Sequence, residues 1–473
     1  MRRANATLII LLAVVALLAA TLAAGNVALA LTAALGCLLL VLFATRPFLG
    51  FLAVICMIPL EMRSRYLFAS TVGVNFSIVQ LMTVATVLGC LVAWLFGKLK
   101  WRHHPPDLPI LCIVATSYIS LLFSPSAASD YIIRHTLSLT LVFALYFIGV
   151  QTTDTPRRLR IALVVLSVAC MLASSVGIYE FATGRYLLVK GSRAFEGIER
   201  VTALAGQTNT AAYQAGIGLI LLLGYALAMK LSKTKLVFVT LGALICTVVV
   251  VLTFTRSVWA GTAVSLIALT WYLRHSRRLV SSLLILAIVV TAMVSVAQLP
   301  IVERAMTLMT LAEMSSGSAR RIQHLIIAWE ALKTHPVFGL GWGSFEHMIN
   351  EIKPPDMPKQ PHLPPHNAFA YMAANLGFLG LGSYVWLMWV LLRQILYRPP
   401  HDERQEVRRI HLISSAAIWL YLVSQLAQPA IYMLVAWVVV ALNTSAVRML
   451  GENGQDDEAN GEREPEESCA DHV

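Results

Sequence analysis

Residues 236–273 read LVFVTLGALICTVVVVLTFTRSVWAGTAVSLIALTWYL. Arg256 is the one charged side chain in this stretch, at the tip of a Thr255–Ser257 connection between two apolar runs. Each run approaches the roughly 18–20 apolar residues a helix needs to cross a bilayer. Helices satisfy their own backbone hydrogen bonds in lipid, so they are the expected element. The periodicity is not the weak alternation of a transmembrane barrel. The stretch predicts a membrane-embedded helical hairpin with a cation at one end.

Working outward, comparable runs fall at 7–24, 27–45, 47–60, 76–97, 108–124, 131–150, 159–181, 209–230, 279–298, 366–394, 411–427 and 430–448. With the hairpin this predicts an all-α polytopic membrane protein of about 12–14 spans. Tight pairs that turn back within the bilayer account for the lower figure. The whole chain agrees, with 58% hydrophobic residues, 13% charged residues and a mean hydropathy of +0.72. A soluble domain carries about 25% charged residues, so this chain has too little polar surface to cover a globule in water. Residues 1–24 pair two arginines with an apolar run, but another span follows at once, so a first membrane helix is expected there, not a cleaved signal. Residues 1–298 form an N-terminal set of spans, 299–365 a long polar segment, 366–450 a C-terminal set, and 451–473 a tail whose acidic composition predicts disorder.

The net charge of +11 hides an asymmetry. The tail holds nine acids and one arginine, so the rest of the chain has 16 acids against 35 Lys and Arg. In a soluble protein that balance would point to nucleic acid. Here most bases sit in short loops between spans, at 98–104, 156–160, 230–235, 274–278 and 393–409. Counting spans alternately puts these loops, with both termini, on one side, the cytoplasmic side by the positive-inside rule. Membrane lipids and a phosphate-bearing ligand are the expected partners, and no nucleic acid. Six of the seven cysteines lie in or beside spans and Cys469 lies in the tail, with no CxxC pair, so neither disulfide framework nor cysteine metal site is expected.

The opposite, periplasmic side then receives three features: the 184–209 loop with Arg185, Lys190, Arg193 and Arg200; the Arg256 turn; and the segment 300–365. In that segment Ser318–Thr334 predicts an amphipathic helix, with Ile322, Leu325, Ile326, Trp329 and Leu332 at three- and four-residue spacing. Pro336 ends it, Gly339, Gly341 and Gly343 permit a turn, and six prolines across 353–365 enforce an extended run. That run delivers His366 and Asn367 to the mouth of the next span.

Each of these residues has a plain reading. Arg256 alone is an arginine snorkelling to head groups, Arg320 and Arg321 a solvated helix start, and His366 a helix-start histidine. Trp259 and Trp271 are interfacial anchors or packing. His362 and His366 are four apart, but the intervening prolines break the helix that would align them on a metal. The joint reading is chemical. Guanidinium groups grip phosphate oxygens, and two cations opening a helix oppose its dipole unless an anion binds there. A histidine accepts a proton from a hydroxyl near neutral pH. Arginines, histidine and span mouths on one side suit glycan transfer from a polyprenyl pyrophosphate, with no metal required.

Leu252-Thr253-Phe254-Thr255-Arg256-Ser257 resembles the threonine/serine-arginine signature of the O-antigen ligase and polymerase superfamily. Arg321 through Gly343, with His335-Pro336-Val337-Phe338-Gly339-Leu340-Gly341, resembles its next block. His366-Asn367-Ala368-Phe369 and Asn375-Leu376-Gly377-Phe378-Leu379-Gly380 resemble its histidine-asparagine block and the glycine-rich helix after it. Order and spacing agree across roughly 236–384. Ala205–Thr210 is a weaker match to an upstream segment, and Trp329 stands where the family's tryptophan would fall nearer Leu325.

The resemblance implies a GT-C-like membrane fold and an inverting, metal-independent transferase without a cofactor, working as a monomer. The donor would be undecaprenyl-pyrophosphate-linked O-antigen and the acceptor lipid A-core. His366 would be the general base. Arg256 and Arg321, or Arg320 one residue away, would bind pyrophosphate, with Asn367 beside them. Arg193 and Arg200 are further candidates for substrate phosphate, against the plain reading of a surface loop on anionic lipid. An O-antigen polymerase or a protein O-oligosaccharyltransferase shares these blocks and differs in acceptor. A transporter or flippase would need charges buried in mid-span, and the spans are nearly free of them.

Overall fold

The computed structural model describes residues 39, 41–65, 77–124, 130–187, 200–274, 316–398 and 404–461. The expected spans 7–24 and 279–298, and most of 27–45, lie outside the described residues. Within them the chain is helical: α1 (Pro47–Arg65), α2 (Ile78–Leu95), α3 (Asp107–Phe123), α4 (Asp130–Thr152), α5 (Pro156–Thr183), α6 (Thr208–Ala228), α7 (Lys233–Leu252), α8 (Arg256–Tyr272), α9 (Ser316–Thr334), α10 (Ser344–Ile352), α11 (Ala368–Leu396), α12 (Gln405–Ser424) and α13 (Leu434–Gly461). Among the described residues eight helices, α1, α2, α4, α5, α6, α7, α11 and α13, are long and apolar enough to cross a membrane. The run expected at 47–60 continues to Arg65 through a 3-10 turn at Ile58–Leu60. The last helix reaches Gly461, into the tail expected to be disordered. Once the apolar turns of α13 have formed the nucleus, each further residue adds a hydrogen bond, and propagation needs no apolar face.

Local chemistry fixes the helix ends. Ser77 and Gln80 form a capping box that starts α2. Thr155 caps α5 with Pro156 behind it, and Gly184 closes that helix in the left-handed region at φ 67°.

The helices run up and down, so their ends gather on two faces. One face is basic. Arg102, Arg160, Arg404 and Arg448 lie there, Arg448 donating to the Thr153 carbonyl and Arg404 to that of Met449. The other face collects the ends of α1, α3, α5, α7 and α12 with the starts of α2, α4, α6, α8, α11 and α13. α6 lies at the centre, packed against α5, α7, α8 and α12, with 89% of its apolar window buried. The outer helices turn Leu81, Leu91, Leu122, Val237, Ile267 and Trp389 outward, an apolar belt that water would not tolerate and lipid would.

Candidate active site

The connection between α7 and α8 is a sharp turn in which Phe254 adopts φ 51°. A non-glycine residue in that region costs about 1–2 kcal/mol, and the surroundings hold it. Phe254 is buried, and Trp259 donates its indole N–H to the Val250 carbonyl at 2.8 Å. Arg200 clamps the turn from outside, donating from Nε to the Thr253 carbonyl at 2.7 Å and from its guanidinium to Thr255 Oγ1 at 3.1 Å. Thr255 in turn donates to Asn209 on α6 at 3.4 Å. The turn therefore presents Arg256 as the first residue of α8, half-buried, with its guanidinium unclaimed by any hydrogen bond or ion pair among the described residues.

Arg321 arrives from α9. Partial burial lowers its pKa, and the like charge of Arg256 lowers it further. Two cations 65 positions apart in the chain are thus close enough to repel each other. α9 begins at Ser316, two residues before the expected start, so Arg321 lies inside the helix and not at its opening. The side chain of Arg320 lies outside the described residues, as do Lys190 and Arg193.

One helical turn beyond Arg321, on the same face, His324 is fully buried and donates from Nδ1–H to the Pro364 carbonyl at 3.3 Å. Its ring stacks on that of His366, with centroids 6.0 Å apart and planes 10° from parallel. α9 therefore carries both Arg321 and the ring that stacks on His366. His362 is not part of this arrangement; its Nδ1 lies 2.6 Å from the Glu346 carbonyl oxygen. Among the described residues no three His, Cys, Asp or Glu converge as metal ligands would. Asn367 caps α11, accepting from the Ala370 N–H at 3.0 Å and donating to the Leu426 carbonyl at 3.3 Å. Both ends of its amide are engaged in orienting the helix that follows His366.

The glycine-rich blocks explain how α9 is held. α11 is broken at Gly377, with φ 63° and ψ −158°. Into this break fits the turn after α9: Leu340 and Gly341 donate to the carbonyls of Ala374 and Asn375 at 3.0 Å, and Phe378 donates to that of Pro336 at 2.8 Å. A Cβ on Gly377 would lie 2.4 Å from the Val337 carbonyl oxygen, and one on Gly339 would lie 2.4 Å from the backbone of Asn375 and Leu376. The proline-glycine block and the asparagine-glycine block are two halves of one backbone joint. Of the apolar stripe read on α9, Leu332 is buried while Ile322, Leu325, Ile326 and Trp329 are exposed; His324, Ile327, Ala328 and Ala331 complete the buried face. A helix beside lipid can turn apolar residues outward, so periodicity alone could not say which stripe packs.

Two features were not visible in the sequence. A buried bidentate pair joins Arg63 at the end of α1 to Glu180 at the end of α5, at 2.6 and 2.5 Å. Arg63 also donates to the Ala203 carbonyl, so it fixes the segment that carries Arg200 to the Arg256 turn. The second is a cavity of about 640 Å³ on the same face, bounded by the ends of α1, α2, α4 and α6, by α10 and by Tyr371 and Tyr432. Arg256, Arg321 and His366 do not line it. It adjoins them through His362 and Pro364 on one side and Gln207 and Thr210 on the other. α10, which supplies Glu346, lies between the glycine turn and the proline run, where the sequence pattern predicts no element; it is nine residues long, Ser344–Ile352.

Residues 241–385 match the family model described as O-antigen ligase. A search of curated proteins gives no match.

Proposed function

We propose that this chain, whose residues 241–385 match the family model described as O-antigen ligase, is a glycan ligase of the O-antigen ligase and polymerase superfamily. In this reading it transfers an undecaprenyl-pyrophosphate-linked O-antigen to a sugar hydroxyl of lipid A-core, on the periplasmic side of a bacterial inner membrane. The supporting observation is the arginine pair: the charge of Arg256 reaches Arg321 and lowers its pKa, and the helix bearing Arg321 stacks His324 on the ring of His366. Bringing like charges together is unfavourable unless an anion joins them, and a pyrophosphate supplies the charge and the oxygens that guanidinium forks fit.

The reaction follows from the placement. The acceptor oxygen attacks the anomeric carbon from the face opposite the leaving group, so the configuration inverts. His366 takes the hydroxyl proton. The bond from the anomeric carbon to the phosphate oxygen breaks, and its electrons leave on the pyrophosphate, whose growing charge the two guanidinium groups stabilise. His324 holds the imidazole by stacking. Neither proton nor charge transfer needs a metal in this scheme. The lipid tail of the donor lies against the apolar flanks of the bundle.

The test is transfer by the purified protein in nanodiscs with EDTA, using lipid-linked O-antigen with and without lipid A-core, for wild type and His366→Ala. Product that needs lipid A-core and disappears in the variant is the expected result. Chain elongation of the lipid-linked glycan without lipid A-core would make the protein a polymerase, and undiminished transfer by His366→Ala would remove the histidine from the mechanism.

A further inference from the structure

The 640 Å³ cavity has no task in the scheme above. Its size falls in the range of small-molecule sites, roughly 300–1,000 Å³. Three of its polar atoms are buried and lack a hydrogen-bond partner among the described residues: Oε2 of Glu346, Oε1 of Gln214 and Nε of Arg65. The residues are not idle surface groups, since Glu346 is 7% exposed and Gln214 3%. Buried polar atoms are normally paired, so each exception calls for an explanation.

The chemistry of the three narrows the occupant. Two are acceptor oxygens with room for a donor, although Tyr371 also bonds the Glu346 carboxyl, and one is a donor waiting for an acceptor. An apolar chain would satisfy none of them. An anion would meet the carboxyls of Glu346 and Glu61, and a cation would meet Arg65 and Arg134, all in the lining. A hydroxyl group gives one hydrogen bond and accepts two, so a neutral polyol fits both kinds of partner. Tyr131 and Tyr432 add ring surface to the wall, which suits the C–H face of a pyranose.

We propose that this cavity is a saccharide subsite, in which Glu346 and Gln214 accept hydrogen bonds from the hydroxyls of a hexopyranose unit belonging to one of the two glycan substrates. The proposal rests on the glycan-transfer reading for the identity of those substrates, and on the cavity alone for the chemistry. Glu346 is well suited to the task. Burial raises its carboxyl to about 7, so it is not fixed as a hard anion and tolerates a neutral ligand beside it. Two of its lining residues, His362 and Pro364, come just before His366 in the chain.

The experiment measures binding, not turnover. Full-length protein in nanodiscs is titrated calorimetrically with deacylated core oligosaccharide and, separately, with the free O-glycan lacking lipid and phosphate. Wild type is expected to bind one of them, and Glu346→Leu and Gln214→Leu to weaken that binding at least tenfold while inorganic pyrophosphate binds as before. Glu346→Gln keeps the shape of the site and serves where the leucine variant unfolds. Weakened binding of the core identifies the cavity as the acceptor's, and weakened binding of the O-glycan identifies it as the donor's. Wild-type affinity for both glycans in folded variants, or no binding of either glycan by wild type, overturns the subsite. Glycan binding that depends on Glu346 in a protein that transfers nothing would overturn the ligase reading and leave the subsite standing.

Discussion

Arg256 and Arg321 have no acidic partner among the described residues, so an arriving anion would relieve their mutual repulsion. Millimolar inorganic pyrophosphate is therefore expected to stabilise the wild-type protein, by about 2.7 kcal/mol at a hundredfold excess over Kd, read as a higher melting temperature. Arg256→Gln and Arg321→Gln lose that shift, melt no lower than wild type without the ligand, and lose roughly 100-fold or more in kcat. A shift that survived both substitutions would place the pyrophosphate elsewhere. Glu346 allows a second prediction. Its carboxyl is raised from 4.5 to about 7 by burial, opposed by hydrogen bonds from its own backbone and Tyr371. A carboxyl raised in the folded state favours folding when protonated. Its share of stability is complete below about 4.5 and falls away as pH climbs to about 7, a loss on the order of 3 kcal/mol. Glu346→Gln removes that loss, so its melting temperature exceeds that of wild type at pH 8 and converges on it near pH 4.5. At this scale the sequence was informative about charge and little else. Arg256 stood out because nothing polar surrounds it, and His366 because prolines deliver it. His324 and Glu346 carry no such mark; only the i, i+3 spacing from Arg321 to His324 could have pointed to the first of them.

The elements were legible where hydropathy sets them and illegible where backbone docking does. The spans at 76–97, 131–150, 159–181 and 209–230 reappear as α2, α4, α5 and α6 within a few residues. The break at Gly377 does not show in the hydropathy of α11, because the residues on both sides are equally apolar. Its cause lies in the turn at 336–341, far enough away in sequence to be read as a separate motif. Gly377→Ala and Gly339→Ala each force a Cβ into backbone and place alanine in the left-handed region. Both are expected to cost more than the roughly 1–2 kcal/mol of the dihedral strain alone, measured as a lower melting temperature. Loss of activity would accompany it, since the same joint positions His324 under His366. Gly382→Ala, in open space on the same helix, is the control and leaves both unchanged.

Across the whole molecule the two faces differ in charge and in task. The ends of α1 and α5 are tied by Arg63 and Glu180, and that tie is passed through Ala203 and Arg200 to the Arg256 turn. Removing one member of a buried pair costs about 3–5 kcal/mol. Glu180→Gln is expected to melt lower and to lose kcat, and Arg63→Met combined with Glu180→Leu to recover most of the melting temperature but not the kcat, because the tie to Ala203 stays broken. Sidedness follows from the basic loops and is checked by labelling. In intact cells an impermeant thiol reagent is expected to reach Lys359→Cys and not Lys100→Cys or Arg409→Cys, scored against the native cysteines. That overall plan, many spans with a basic face, was the part of the fold most legible in the sequence, since it depends on sums over many residues. The cavity was not legible, because it is a space between helices that no single segment encodes.

The joint between the 336–341 turn and the broken helix α11 has an evolutionary consequence. It makes residues 316–380 a unit of heredity. A recombination point inside that interval would join a turn of one ancestry to a notch shaped in another. Chimeras between relatives are expected to exchange activity only when the crossovers fall before Ser316 or beyond Gly380.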